Sequence, residues 1–313
     1  MARCFVTREL PGPALERLRA AHEVDLWEDS SPPPREALLA GVAGAEGLLA
    51  MLTDSVDDEL LAAPRLAAVS NYAVGTDNVD LAAATRRGIP VGNTPDVLTD
   101  ATADLAVALM LAVARRIPEG ERLVREGGWR TWTPTFMLGR DLHGARVGIV
   151  GPGRIGRAVA RRLQGFGCAV DEAGRGDRGA LHRVLAESDF VSLHLPLNAQ
   201  THGLIGEDEL RRMRPTAFLI NTARGPIVDQ RALARALADG WIAGAALDVT
   251  DPEPLPAGDP LLEAPNLVVV PHVGSATHAA REAMAQRAVD NLLAGLAGEP
   301  MPSCVNPEVY GSG

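Results

Sequence analysis

The chain has 313 residues, 46% of them hydrophobic, and a formal net charge of −10. That length suggests roughly two domains and a large core, while the acidic balance argues against a nucleic-acid binder, which is usually basic. No apolar run of signal-peptide length opens the sequence; Leu105 to Ala114 is too short to span a bilayer; Cys4, Cys168 and Cys304 are too few and too scattered for a disulfide or metal framework. These features predict a cytoplasmic protein with no membrane or nucleic-acid partner and no metal.

Up to Gly92 the chain alternates strands and helices. Strands are expected at Cys4–Val6, Val24–Trp27, Gly47–Met51, Leu66–Ser70 and Ile89–Gly92, and helices at Pro13–Ala21, Arg35–Ala40, Asp57–Ala62 and Leu81–Arg86. This βαβ rhythm predicts a parallel sheet. Leu98–Arg115 reads as a long helix whose many alanines let another helix approach closely, and Gly127–Leu142, with Trp129 and Trp132, as a loop or crossing segment. A second series follows, with strands at Val147–Val150, Cys168–Val170, Phe190–Leu195, Ala217–Asn221, Ile242–Leu247 and Leu267–Val270. Its helices fall at Ile155–Gln164, Gly179–Glu187, Glu207–Arg212 and Gln230–Ala238. The pattern predicts a doubly wound sheet with its ligand at the carboxyl ends of the strands. An Ala-rich helix, Ala276–Gly295, comes last.

The second series opens on Gly151-Pro-Gly153-Arg-Ile-Gly156, between the apolar run Val147–Val150 and the helical segment that follows. In that setting the three glycines read as a dinucleotide-binding turn. The first permits the tight turn, the second lets a pyrophosphate approach the backbone, and the third lets helix and strand pack closely. The next strand carries the cofactor preference. Asp171 or Glu172 at its end would bind the ribose of NAD; Gly174 at the tip, followed by Arg175, would accommodate the 2′-phosphate of NADP. The spacing from Gly156 falls closest to Gly174, so NADP is favoured with NAD the alternative.

Three polar segments follow apolar strands in this half: Asn221-Thr-Ala-Arg224, Asp248 to Glu253, and Pro271-His272-Val-Gly-Ser275. An anionic substrate needs an arginine, whose planar fork matches a carboxylate. A carbonyl receiving hydride needs a proton donor such as histidine, and the histidine needs a carboxylate to hold and charge it. Arg224, His272 and Glu253 fit these roles.

The motifs resemble those of the D-isomer-specific 2-hydroxyacid dehydrogenases over nearly the full chain. The matching pieces are Asn71-Tyr-Ala-Val-Gly-Thr-Asp-Asn78, Asn93-Thr-Pro, Thr102-Ala-Asp-Leu-Ala, the glycine turn, Ser192-Leu-His-Leu-Pro196-Leu, and the segments holding Arg224, Glu253 and His272. Within the family the sequence is most similar to the glyoxylate/hydroxypyruvate reductases, in Gly127-Gly-Trp-Arg-Thr-Trp-Thr-Pro134 and His272-Val-Gly-Ser-Ala-Thr-His278 among others.

The resemblance implies two α/β domains with doubly wound parallel sheets: a Rossmann cofactor domain, 98–278, inserted in a flavodoxin-like substrate domain, 1–97 with 279–313. It implies reduction of glyoxylate and hydroxypyruvate to glycolate and D-glycerate in a homodimer. Substrate contacts would come from Leu52, Val74, Gly75, Arg224, His272, Ser275 and, from the neighbouring subunit, Trp132. Cofactor contacts would come from Thr102, Gly151, Gly153, Arg154, Ile155, Gly156, Gly174, Arg175, Leu195, Pro196, Thr222, Ala223, Asp248 and Gly274, with Asp248 on the nicotinamide carboxamide and Thr102 on a phosphate. A reductase of another 2-keto acid, such as 2-ketogluconate, or a dinucleotide-sensing binding protein would share these features. The segment between Gly167 and Leu185 is several residues shorter than the usual family pattern.

Overall fold

A computed structural model describes residues 1–311 and resolves two compact units, one of Met1–Leu98 with the described residues from Ala276 onward and one of Thr99–Ser275. The chain thus leaves the first unit after Leu98 and returns to it at Ala276, against expected divisions at 97/98 and 278/279.

The first unit begins β1 (Arg3–Val6), α1 (Ala14–Ala21), β2 (Glu23–Leu26), α2 (Arg35–Ala43), β3 (Gly47–Ala50), α3 (Asp58–Leu61), β4 (Ala68–Asn71), α4 (Leu81–Arg86), β5 (Val91–Gly92). Its five strands are parallel in the order β2-β1-β3-β4-β5. That is the flavodoxin-like order. β3 and β4 are buried along their whole length, as expected of parallel strands covered on both faces. Asp57 and Asp80 cap α3 and α4 by accepting first-turn N–H groups, which satisfies donors the helix cannot pair internally.

The second unit runs α5 (Thr99–Ala114), α6 (Ile117–Arg125), β6 (Arg146–Val150), α7 (Arg154–Gln164), β7 (Ala169–Ala173), α8 (Arg178–Glu187), β8 (Phe190–Leu193), α9 (Glu207–Arg212), β9 (Phe218–Asn221), α10 (Gln230–Ala238), β10 (Gly244–Leu247), β11 (Leu267–Val269). Six parallel strands lie in the order β11-β10-β9-β8-β6-β7. The chain reverses its direction of winding between β6 and β8, which marks the crevice where such sheets bind ligands. The alanines of α5 have the consequence their size suggests. Ala103 and Ala106 share a core with Ala158, Val159 and Leu163 of α7, and Arg162 of α7 pairs with Asp104 at 2.5 Å and Asp100 at 3.0 Å. The chain closes with α11 (His278–Leu296), capped by Thr277 and belonging to the first unit.

Several element bounds differ from expectation by a few residues, and three differences stand out. α6 was not anticipated; none of its residues is buried, and its apolar side chains Ile117 and Val124 are exposed. The strand expected at Val24–Trp27 is Glu23–Leu26, fixed by pairing of Glu23 opposite Arg3. The strand expected at Cys168–Val170 extends instead through Ala173, with consequences for the cofactor site.

Candidate active site

The glycine turn lies where β6 ends and α7 begins. Gly151 has φ +93°, a left-handed conformation that favours glycine, and a Cβ there would lie 2.6 Å from the carbonyl oxygen of His194 at the end of β8. Gly156 has no room either: its Cβ would meet the Gly151 oxygen at 2.4 Å and Ile149 at 2.9 Å. Gly153 differs, since a Cβ there would meet nothing within 4 Å. It is also the N-cap of α7 and supplies no side-chain cap. The N–H groups of Arg154 and Ile155 at the helix start therefore border open space beside a helix dipole, which suits a pyrophosphate. The first and third glycines are packing requirements and the second is a cradle, so the residues present fit a dinucleotide. Leu195 reaches over the turn, to 2.9 Å from a Gly151 Cβ, and Pro196 follows it, its oxygen accepting from Thr201 at 2.7 Å. His194 behind the turn is no acid: burial pushes its pKa down to about 4, and its Nε2 pairs with Ser192 Oγ at 2.9 Å.

β7 pairs with β6 through Ala173 opposite Val150, and Gly151 N–H donates to the Ala173 oxygen at 2.9 Å. Asp171 therefore lies inside the strand, opposite Gly148, and its carboxylate pairs with Arg146 at 2.5 Å. Glu172 is the next-to-last strand residue. The first residue past the strand is Gly174, exposed, with open space around its Cβ position, and Arg175 follows, also exposed. Neither Asp171 nor Glu172 stands at the strand end as the NAD alternative required.

At the far side of the sheet the loops after β9, β10 and β11 converge. Asn221, the last residue of β9, shapes the first loop: its amide donates to the Arg224 oxygen at 2.9 Å and its Oδ1 accepts from Ala223 N–H at 3.0 Å. Arg224 is half-buried there, after the buried Thr222 and Ala223. The loop lies directly on the next one, because a Cβ on Gly225 would fall 1.9 Å from the Thr250 oxygen. In that second loop Glu253 accepts from Thr250 N–H at 3.0 Å with one oxygen and meets His272 Nδ1 at 2.8 Å with the other. Burial acts to raise the Glu253 pKa, but the His272 hydrogen bond and charge, the Thr250 N–H and the Arg224 charge outweigh it, and the net shift is downward. Glu253 is thus held as a carboxylate against the imidazole.

His272 adopts φ +52°, uncommon for a residue with a side chain. Asp248 holds it there. The Asp248 backbone oxygen accepts from His272 N–H at 2.9 Å, and its carboxylate accepts from Val273 N–H at 2.6 Å and Gly274 N–H at 2.8 Å. Burial, the largest influence, raises the pKa of Asp248, with those N–H bonds and His272 pulling against it. Gly274 leaves space for this clamp, since a Cβ would lie 2.9 Å from Asp248 Oδ2. Thr102 of α5 closes the ring by donating to the Gly274 oxygen at 3.2 Å.

Arg224, Glu253, His272, Asp248, Thr102, Gly274 and Ser275 therefore gather at one end of the second unit, whose sheet also carries the glycine turn. Leu52, Val74 and Gly75 sit on loops of the first unit, after β3 and β4. Trp132 lies in the irregular 127–142 stretch and is 74% exposed. Sequence reading missed Gly225 as a spacer between the loops that carry Arg224 and Glu253; its only signal is a glycine directly after Arg224. Among the described residues no group of three His, Cys, Asp or Glu side chains could hold a metal ion, and no helix is long and apolar enough to cross a membrane.

Residues 107–274 match the family model for the NAD-binding domain of D-isomer-specific 2-hydroxyacid dehydrogenases. The chain is 50% identical over 320 residues to a glyoxylate reductase of Korarchaeum cryptofilum, covering 98% of this chain and 96% of the relative. The crystal structure of the TT0316 protein from Thermus thermophilus superposes with a TM-score of 0.92 at 48% identity, covering 97% and 99% of the two chains. An NADPH-dependent glyoxylate/hydroxypyruvate reductase from Sinorhizobium meliloti, solved with NADP and malonate, gives a TM-score of 0.83 at 34% identity and 98% coverage of each chain.

Proposed function

The chain belongs to the D-isomer-specific 2-hydroxyacid dehydrogenase family and is an NAD(P)-dependent enzyme of that class, and on that premise we propose that it reduces glyoxylate to glycolate and hydroxypyruvate to D-glycerate, with NADPH preferred. The observation that carries this reading is the 2.8 Å pairing of His272 Nδ1 with Glu253. With Nδ1 held by Glu253, Nε2 is the nitrogen left to give a proton to the substrate oxygen. A bound nicotinamide dinucleotide supplies the hydride to the 2-keto carbon. Arg224 binds the carboxylate and polarises the keto oxygen, Val74 and Gly75 offer N–H groups to the carboxylate, and Leu52 and Ser275 line the substrate. Besides holding the His272 loop, Asp248 borders the nicotinamide and Thr102 a cofactor phosphate, with Leu195, Pro196, Thr222 and Ala223 along the cofactor. The relatives are reductases of glyoxylate by name, which supports that substrate over other keto acids.

The β7 register supports NADPH. Gly174 removes the carboxylate that would repel a 2′-phosphate, and Arg175 follows to pair with it. The reading extends to a cytoplasmic homodimer. Ile117, Val124, Trp129, Trp132, Phe136 and Leu138 are 43–74% exposed on one stretch of chain, and a cluster of large exposed apolar side chains marks an interaction surface.

A steady-state panel tests this: NADH and NADPH, each against glyoxylate, hydroxypyruvate, 2-ketogluconate and pyruvate. Preference for 2-ketogluconate would reassign the substrate. Tight cofactor binding with negligible turnover would favour a dinucleotide sensor. Gly174→Asp with Arg175→Ala should reverse the cofactor preference, since a charged hydrogen bond of this kind is worth about tenfold to a hundredfold in affinity. A wild type that prefers NADH would refute the Gly174 assignment.

A further inference from the structure

Three successive carbonyls in the loop after β4 are held by the neighbouring strand ends. The Ala73 oxygen accepts from Thr94 N–H at 2.8 Å. The Val74 oxygen accepts from the Asn93 side-chain amide at 2.8 Å, and the Gly75 oxygen from the Asn71 amide at 2.9 Å. In a trans peptide the N–H points opposite to the C=O of the same unit. Holding those oxygens therefore turns the N–H groups of Val74, Gly75 and Thr76 away from the groups that hold them.

The holders are themselves fixed. Asn71, fully buried at the end of β4, exchanges amide hydrogen bonds with Asn78 at 3.0 and 3.1 Å. Asn78 also donates to the Met51 and Asp54 oxygens, both at 3.0 Å. The loop after β3 is thereby tied to the loop after β4. Asp54, buried, accepts from Met51 N–H and Thr7. Asn93 is anchored from α11: the fully buried Asn291 donates to the Asn93 oxygen at 2.8 Å and accepts from Ser303 N–H at 3.0 Å. Gly92 makes the space, as a Cβ there would lie 2.7 Å from Asn291.

We propose that Asn93 and Asn71 are positioning residues for the reaction: by holding the Val74 and Gly75 carbonyls they aim the N–H groups of Gly75 and Thr76 at the substrate carboxylate, with Asn291 fixing Asn93. The proposal rests on the keto-acid reading above and adds to it the side chains that preorganise the carboxylate site and a third N–H donor, that of Thr76. Donors fixed before the ligand arrives need no reorganisation when it binds.

The test is Asn93→Ala, measured with glyoxylate, with glyoxal as an aldehyde lacking the carboxylate, and with oxalate binding by calorimetry on cofactor-loaded protein. A misaimed N–H loses a charge-assisted hydrogen bond, so oxalate affinity and glyoxylate kcat/KM should fall roughly ten- to a hundredfold, mainly through KM. Glyoxal kcat/KM and cofactor affinity should stay within about twofold, because neither uses those N–H groups. An equal fall for glyoxal and glyoxylate, or oxalate affinity unchanged in the variant, overturns the assignment. A wild type that turns over no 2-keto acid refutes the functional reading alone, and the oxalate comparison then decides the inference: loss of binding in the variant upholds it, and no binding by wild type sinks it. If Asn93→Ala does not fold, selective 15N-glycine labelling of wild type replaces it; oxalate must then shift the Gly75 amide, and an unmoved signal overturns the proposal.

Discussion

Gly225 offers a sharp test of how the loops carrying Arg224 and Glu253 are spaced. A Cβ added there would sit 1.9 Å from the Thr250 oxygen, 2.2 Å from its carbonyl carbon and 2.8 Å from Asp251 N. All three are backbone atoms, so no side chain can swing aside. Real Cβ atoms essentially never come within 3.0 Å of such neighbours, and Gly225→Ala must therefore drive the two loops about 1 Å apart. Arg224 rides on one of them. Glu253 rides on the other, through its bond from Thr250 N–H. A misplacement of about 1 Å in a reacting constellation costs on the order of 100-fold in rate, whereas overpacking typically costs about 1–3 kcal/mol in stability. The expected result is a fall of roughly 100-fold or more in kcat/KM for glyoxylate with the protein still folded. Cofactor affinity should fall far less than kcat/KM, because the glycine turn stays in place although Thr222 and Ala223 share the displaced loop. Steady-state kinetics, a thermal melt and a cofactor titration read these separately. A variant within about threefold of wild-type kcat/KM would show that the loops absorb the methyl without moving Arg224 or Glu253, and the spacing argument would be wrong.

Other substitutions probe the same constellation. His272→Asn keeps the volume near that of the ring but removes the proton donor, and should cost about 100- to 10,000-fold in turnover with cofactor affinity unchanged; a variant keeping a third of wild-type turnover would exclude His272 as the acid. Arg224→Lys keeps the charge and loses the planar fork, so KM should rise and kcat fall, and unaltered kinetics would remove Arg224 from the site. Glu253 has a folded-state pKa below its ordinary 4.5. Its contribution to stability is therefore complete above that value and is lost as pH falls through the lower folded pKa. Glu253→Gln should accordingly flatten the decline of Tm between pH 4.5 and acid; a variant whose Tm falls as steeply as wild type would contradict the pairing with His272.

What could be read in the sequence was decided by how local each requirement is. The glycine turn was legible because strand, turn and helix all fall within Arg146–Gln164, and Gly151 and Gly156 answer to neighbours close in sequence or at the adjacent strand end. The end of β7 was not. It is an edge strand, half-exposed along its length, so it tolerates Asp171 and Glu172 in mid-strand, and the apolar signal stops three residues before the hydrogen bonds do.

The proposed catalytic set shows a further division. Arg224, Glu253 and His272 could be chosen by chemistry, because a parallel sheet delivers the residue after every strand to the same edge. Their arrangement could not be read that way. Asp248 sits in sequence where a carboxylate could face a nicotinamide, yet its oxygens are engaged by Val273 and Gly274 N–H groups contributed by a different strand end. The left-handed backbone of His272 follows from that capture, which nothing near it in the sequence announces. The same holds in the first unit, where Asn93 matters through one carbonyl at Val74, far from it in sequence. Side chains that do chemistry carry their type in the sequence. Side chains that hold backbone in place are common residues with a partner elsewhere, and only the register of the strands reveals which carbonyl or N–H they meet.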